Sequence, residues 1–559
     1  MNPRRPADTH PSFSELFTPK LITVFREGYG LTDLRRDALA GLTVAIVALP
    51  LSMAIAIACG VSPDRGIFTA IVGGFFVSLL GGSRYQIGGP AGAFIGLIAS
   101  VVERHGYDGL VLATAMAGVI LLAIGLLRAG NYIKFIPFPV TVGFTAGIAV
   151  IIAASQLKEL LGLTLAHEPS DLVPKVEALW GAIGTLHWQT AAIAVLSVVV
   201  IAVVQKFKPA WPAFLIAVVL AAVAVFAFHL DAATVGSRFG ALPNGLPSPS
   251  LPTFSIEKIR AVLPDAVAIA ILGAIESLLS AVVADGMSGA RHRSNCELAA
   301  QGVANIAAVI FGGICVTGTI ARTATNIRAG ARGPLAGIFH CAYLLAFLIV
   351  AAPLVSYIPL AALGAVLVTV AWRMTEKEEF WSLLRGSRGD AVVLLATFLL
   401  TIFVDLITGI GVGVVLGALL FLHRMAEAVE VESGVNLVPE DVADDTLDNA
   451  EFDAAKARNV MVYRINGAFF FGATARVTQI LEQMAIHPKI FVLDFRDVPM
   501  IDSTGAHSLA GFTARLRRSG TIVYFAAARP SVRKVLIGFG LNDPDVLYVA
   551  GLADVKPPV

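Results

Sequence analysis

The chain has 559 residues, 56% of them hydrophobic and 14% charged, and its mean hydropathy is +0.78. Soluble globular domains carry about 25% charged residues, so most of this sequence is built for a bilayer. The net charge of +1 is uninformative because the charges are unevenly placed, but no basic patch persists outside the loops between apolar segments, so nucleic-acid binding has no support.

The first forty residues are polar, basic and proline-containing, with no apolar stretch of the kind a cleavable signal needs. A crossing helix needs about 20 mostly apolar residues. Runs of that kind, or slightly shorter, fall at 38–58, 66–82, 90–102, 109–127, 136–157, 188–204, 210–229, 261–284, 298–314, 318–330, 335–353, 357–373, 389–405 and 407–423. These are fourteen candidate spans. The third and the tenth are too short and too rich in glycine and threonine for ordinary helices, and are expected to be half-helices. The four cysteines, Cys59, Cys296, Cys315 and Cys341, lie in or beside these runs without CxxC or metal spacing. They read as small apolar residues.

An even number of spans puts both ends on one side. With the N-terminus inside, the inner loops hold Arg84, Arg128, Lys134, Lys206, Lys208, Arg291, Arg293, Arg328, Arg332, Arg373, Lys377, Arg385 and Arg388. The outer loops are longer in total and hold fewer cations, so the positive-inside rule places both termini in the cytoplasm.

After Arg424 the composition changes. An acidic linker is expected over 426–457, its core EDVADDTLDNAEFDAAKAR at 440–458. The alternating NVMVYRINGAFFFG (459–472), a helical VTQILEQMA, a buried KIFVLDF, a helical HSLAGFTARLRR and a strand TIVYFAAA then predict a small α/β domain. The expected organisation is a cytoplasmic segment 1–37, a transport domain 38–425 made of repeats 38–230 and 258–425, the linker, and a cytoplasmic domain 458–555.

Seven spans followed by seven more is an odd-numbered repeat, so the two halves must be inserted upside down to one another. Inverted repeats with interrupted helices near the midplane are typical of secondary transporters. GGPAGA (88–93) and TGTIARTAT (317–325) stand at corresponding places in the two halves. Two half-helix N-termini that face each other offer free N–H groups and positive dipole ends to an anion. Arg322, in the first turn of the second half-helix, adds to that field. Glu276 lies in a run, 261–284, whose only other ionisable residue is Asp265. A carboxylate at that depth costs about 2.5–3.5 kcal/mol on insertion scales and marks a functional site. With Ser280 one turn further on the same face, it could hold a proton or a Na+. Asp265 and Asp405 read as span-end residues, Asp285 and Arg291 as loop or interface residues, and Asp502-Ser503-Thr504-Gly505 as a helix cap. No P-loop, nucleophile elbow, zinc spacing or catalytic dyad occurs, so an enzyme is not expected.

These segments resemble the sulfate permease (SulP) family of anion transporters and exchangers. The resemblance is carried by AGLTVAIVALPLSMAIA (40–56), GGSRYQIGGPAGAF (81–94), GAIESLLSAVVADGMSGARHRSNCELAAQGVANI (273–306) and GTIARTATNIRAGARGPLAG (318–337). VPMIDSTG (498–505) resembles the signature turn of STAS domains. The resemblance implies an α-helical polytopic membrane protein: fourteen spans as a seven-plus-seven inverted repeat, core and gate domains, two half-helices and an α/β STAS domain. It implies an elevator-like cycle, a homodimer, and no cofactor beyond a coupling ion. The anion would contact Gly89, Pro90 and Ala91 together with Thr319, Ile320, Ala321 and Arg322. The coupling H+ or Na+ would sit at Glu276 and Ser280, near the backbone of Gly318, Thr319 and Ile320. Ser503 matches a position phosphorylated in free-standing STAS relatives, and the resemblance implies a regulatory phosphosite there and a cytoplasmic protein partner for that domain.

Leu51 and Ala91 stand where animal chloride/bicarbonate exchangers tend to carry Gln and a bulky aromatic, which makes the pocket roomier and less polar. The expected cargo is therefore a dicarboxylate, bicarbonate or sulfate, carried across a bacterial inner membrane. Glu in place of Asp at 276 favours H+ over Na+. The alternatives are an uncoupled anion channel or electroneutral exchanger of the same fold, and a non-transporting scaffold or sensor.

Overall fold

Hydrocarbon offers a peptide group no hydrogen bonds, so each crossing must close its own. In the computed structural model, which describes residues 13–130, 136–165, 168–169, 171–208, 211–427, 430–433, 460–470 and 488–555, a helix stands at every one of the predicted spans. The acidic core 440–458 and the helix expected over VTQILEQMA (477–485) lie outside the described residues.

In order, the spans are Leu31–Ala58, Pro63–Leu80 (with one π turn), Ile95–Leu126, which holds the third and fourth, Phe138–Leu161, Trp188–Phe207, Ala213–Phe228 and Ile256–Ser288. There follow Ser294–Ile310, Ile320–Arg328, Leu335–Val355, Leu360–Met374, Arg388–Phe403 and Leu406–Glu427. The third and fourth spans are separated at Gly106, whose φ of +67° and ψ of −177° break the helix. That conformation is open to glycine and closed to residues with a Cβ.

The first span begins seven residues before its apolar run. Gly30 caps it, its N–H donating to the Asp33 carboxylate at 3.3 Å, and Arg35 and Arg36 lie exposed in its first turns. Hydropathy marks only the part of a helix in lipid, whereas the cap sets where the helix starts. The eighth span likewise starts at Ile256, capped by the Ser255 hydroxyl, which accepts from the Lys258 N–H at 3.2 Å.

The spans pack in two groups. The first lies along the eleventh, and the third and fourth lie against the eighth and ninth. The fifth packs on the twelfth and thirteenth, and the sixth on the seventh and twelfth. Each half of the chain therefore gives its first four spans to one group and later spans to the other. Small residues allow the closest approaches. A Cβ on Gly302 would lie 2.6 Å from the Gly118 carbonyl oxygen, and one on Gly118 2.8 Å from that of Gly302. Buried Asp37 ties the first span to the loop before the eleventh: it accepts from the N–H groups of Arg332 (2.5 Å) and Gly333 (3.2 Å) and from the Tyr29 hydroxyl (2.5 Å).

The chain divides into two compact units, residues 1–414 and 415–559. The second holds a five-stranded sheet of Glu430–Ser433, Val460–Asn466, Ile490–Asp494, Ile522–Ala526 and Leu547–Val549, in that order. The first pair is antiparallel and the rest parallel. The central KIFVLDF strand is buried along its length, as its unbroken apolar run predicts. Phe469, Phe491, Phe495, Phe512 and Phe525 fill the core beneath it. The edge strand Glu430–Ser433 falls where the sequence reads as linker. Four residues of EVES are too few to show an alternation, and only the partner strand reveals them.

Gly302→Leu should force the fourth and ninth spans apart. Overpacking costs about 1–3 kcal/mol, so purified protein should melt several degrees lower. An unchanged melting temperature would mean that this helix pair does not limit stability.

Candidate functional site

Two short extended segments meet where the two short spans begin. Gly88 pairs with Gly318 and Gly89 with Thr317, antiparallel. The third span then starts through the tight turn Gly92–Phe94, and the tenth starts at Ile320. Irregular backbone inside a membrane is tolerated only where protein satisfies it, and these two segments satisfy each other. Further bonds lock them: Thr319 gives both its N–H (3.0 Å) and its hydroxyl (3.1 Å) to the Ile87 carbonyl, and the Ile87 N–H donates to the Thr323 hydroxyl at 3.1 Å.

That lock refines the anion contacts named from the sequence. Gly89, Pro90, Ala91, Thr319, Ile320, Ala321 and Arg322 do converge, but Thr319 spends its donors on Ile87. The first-turn N–H groups that remain are those of Gly92 and Ala93 on one side and of Ile320, Ala321 and Arg322 on the other. Ala321 is exposed and Ile320 half-buried, so this turn is open to a ligand.

Arg322 is only 1% exposed. Its Nη2 donates to the Ser52 hydroxyl at 3.1 Å and to the Pro90 carbonyl at 3.3 Å, while Nε and Nη1 have no partner. A Cβ on Gly89 would lie 2.0 Å from Nη1, so glycine is what lets the guanidinium lie against the third-span strand. Arg322 and Glu276, the two charges named from the sequence, form no ion pair among the described residues, and Arg322 takes neutral partners instead. A guanidinium held by neutral acceptors keeps its charge available to an anion.

Glu276 is 6% exposed in the eighth span, with no hydrogen-bond or ion-pair partner among the described residues. Ser280 is buried and donates to the Thr323 hydroxyl at 3.3 Å. Ser277 is the hydroxyl that reaches the tenth-span strand. It lies 2.7 Å from the Thr317 hydroxyl and accepts from the Gly318 N–H at 3.3 Å. Asp405 stands just before the last span as expected, whereas Asp265 is buried at the tenth position of the helix Ile256–Ser288. Asp265 meets Arg104 at 2.8 Å, and Asp405 caps the last span by accepting from the Thr408 N–H at 2.8 Å. Asp285, expected in a loop, lies instead in the last turn of the helix Ile256–Ser288 and accepts from the His292 N–H at 2.9 Å in the loop that follows.

Sequence reasoning missed Ser52, Ser277, Thr323 and a polar ladder in the ninth span. Glu297, Gln301 and Asn305 are all buried there at four-residue intervals. The Glu297 carboxylate accepts from the Ser83 N–H (3.0 Å) and from the side chains of Gln86 (3.0 Å) and Gln301 (2.9 Å). Asn305 closes both backbone groups of Val316, at 3.0 and 2.8 Å, and Gln86 lies flat on Gly318. The four-residue polar period inside an apolar run was the signal that could have found it.

A buried cation beside the strand-paired starts of two short helices, inside a bundle of apolar helices, is an arrangement suited to an anion. Residues 34–397 match the sulfate permease family and residues 451–547 the STAS domain. The chain belongs to the sulfate permease family, whose members are transporters and not enzymes. It is 37% identical over 521 residues to the Bacillus subtilis protein named "Putative sulfate transporter YvdB", covering 92% of this chain and 95% of that one. The solved transmembrane domain of a cyanobacterial bicarbonate transporter, BicA, superposes with a TM-score of 0.61 at 31% identity, over 68% of this chain and 99% of that one. Murine Slc26a9 shares the fold, with a TM-score of 0.82 at 17% identity over 98% and 95% of the two chains. The protein is thus a multi-pass membrane anion transporter with a STAS domain.

Gly89→Ala should displace the Arg322 guanidinium without disturbing the surrounding helices. Anion uptake into proteoliposomes should fall tenfold or more, about 1.4 kcal/mol, while the melting temperature stays within a few degrees. Uptake at the wild-type rate would separate Arg322 from anion binding.

Proposed function

We propose that this protein carries a small oxyanion (bicarbonate, sulfate or a dicarboxylate) across a bacterial inner membrane, with both termini in the cytoplasm, by secondary active transport. The observation that carries this reading is the Arg322 guanidinium, buried with two unpartnered nitrogens between the strand-paired starts of the third and tenth spans. The anion sits between Gly89–Ala91, the first turns of both half-helices and Arg322. The group that contains spans one to four and eight to eleven holds these elements together, and moves as one body against the other spans in an elevator-like cycle. Leu51 and Ala91 are both buried and bring no polar side chain to the site, which favours an oxyanion over chloride. The names of YvdB and BicA point to sulfate and bicarbonate as the first cargoes to test.

Coupling runs through Glu276, and H+ is the better coupling ion. A Na+ site needs several converging oxygens, and among the described residues the Glu276 carboxylate has no hydrogen-bond partner at all. Glu276 can carry a proton without such help.

The test is uptake of labelled sulfate, bicarbonate, fumarate and succinate into proteoliposomes under an imposed H+ gradient, then a Na+ gradient. One anion should accumulate against its own gradient when the H+ gradient is present. Glu276→Gln should keep downhill flux and lose accumulation, and Arg322→Gln should lower both at least tenfold. Accumulation that survives Glu276→Gln would sink the coupling role and leave an uncoupled channel or exchanger.

In the STAS domain, Ser503 is exposed at the first position of the helix Ser503–Arg518, whose cap is Asp502 accepting from the Gly505 N–H at 2.8 Å. A phosphate at a helix N-terminus is electrostatically favoured, so Ser503 is proposed as a regulatory site. Phosphopeptide mapping of protein from its native cells should find it, and Ser503→Ala should abolish that signal.

A further inference from the structure

The structure assigns a second anion-recognising site to this chain, for a phosphate group, in a pocket bounded by the first span and the loop after the tenth. The pocket is a cavity of about 480 Å3 whose walls include Arg36, Leu39, Tyr85, Ser288 and the segment Ala329–Arg332. None of the residues around Arg322 at the transport site belongs to it.

Its walls are preformed. Gly330 turns with φ +88°, its N–H donating to the Ile327 carbonyl at 2.9 Å, and the Ala331 N–H donates to the Asn326 carbonyl at 3.2 Å. Asp37 holds the Arg332 and Gly333 N–H groups from beneath, and the Asn326 side chain holds the Tyr85 carbonyl at 2.9 Å. A ligand would therefore cost little ordering of the protein.

Its charge is uncompensated. Arg36 and Arg332 are both exposed, and neither guanidinium has a hydrogen-bond or ion-pair partner among the described residues. The neighbouring carboxylates are occupied elsewhere. Asp37 is turned inward onto backbone N–H groups and Tyr29, Asp33 caps the first span, and Asp285 is bonded to His292. The C-terminal ends of the tenth and eighth spans also border the pocket, and each brings about half a negative charge. Two full positive charges outweigh those two halves, so the pocket stays net positive. Two arginines beside Tyr85 suit phosphate, which guanidinium binds through paired N–H groups. A cavity of this size also exceeds what a bare phosphate needs, leaving room for an organic substituent.

A membrane lipid is the nearer source of that phosphate. Leu39 on the rim is 56% exposed, and Leu42, in the next turn of the same span, is 40% exposed. They form an apolar track from Arg36 along the first span, along which an acyl chain could lie. Basic pockets between membrane helices hold anionic headgroups in this way. The positive-inside rule alone accounts for cations at this end of the helices, but not for a preformed cavity between two of them.

The experiment uses the full chain purified in detergent. Binding of dioctanoyl phosphatidylglycerol, dioctanoyl phosphatidylcholine and inorganic phosphate is measured by ligand-dependent shifts in melting temperature. Each arginine contributes roughly fivefold to affinity at such a surface, so phosphatidylglycerol should bind the wild type well ahead of phosphatidylcholine. Arg36→Gln and Arg332→Gln should each weaken phosphatidylglycerol about fivefold, and the double variant about 25-fold. If the double variant does not fold, the two single variants carry the test. Inorganic phosphate binding with the same arginine dependence, while the lipid shows none, would keep the site and make its ligand a soluble phosphate compound. Equal binding of both lipids and no phosphate binding, or affinities unchanged in the variants, would overturn the proposal. The readout is binding and not flux, so it stands apart from the transport reading.

Discussion

Two broken helices meeting in the middle of a membrane leave backbone groups that lipid cannot satisfy, and the rest of this structure depends on how that is solved. The solution is a four-residue antiparallel pairing of Gly88–Gly89 with Thr317–Gly318. Once the strands are paired, both half-helix starts are fixed relative to each other. Arg322 can then be buried between Ser52 and the Pro90 carbonyl, because its surroundings are rigid polar groups and not lipid.

The supports of that pairing are mostly uncharged. Thr319, Thr323, Ser277 and Asn305 bond to the strand segments or to the residues beside them. Glu297 acts one step away, through the Gln86 side chain that covers Gly318. Neutral hydrogen bonds contribute about 0.5–1.5 kcal/mol each, so the site is held by many modest bonds. Such an arrangement leaves the one guanidinium as the dominant local charge. A carboxylate paired with Arg322 would have cancelled the field that an anion must feel, and among the described residues none is paired with it.

How much of this was legible in the sequence depends on the kind of signal. Glu276 and Arg322 stood out because a charge in an apolar run is expensive and therefore conspicuous. Gly89 and Gly318 were visible as members of glycine-rich stretches, but not as the two residues on which Arg322 and Gln86 lie. Ser52 and Ser277 were hidden, since a lone serine in a membrane helix is common and usually bonds its own backbone; Ser52 does both, donating to the Ala48 carbonyl at 2.7 Å while accepting from Arg322. The polar period of Glu297, Gln301 and Asn305 was present in the sequence but reads as an ordinary amphipathic face until its burial is known.

By itself the sequence determined that the chain lives in a membrane, where its helices cross, and that both of its short spans would be interrupted. It also determined the α/β character of the C-terminal domain. Hydropathy and glycine content are local properties, and local properties suffice for these. Tertiary structure decided that Arg322 is held by Ser52 and Pro90 and not by Glu276. It also decided that Thr319 is consumed as a lock, that Ser277 reaches the tenth-span strand, and that EVES joins a sheet across an acidic insert. Each of these depends on which residues distant in the chain come within about 3 Å of one another. That is set by how helices and strands pack, and no single segment encodes it.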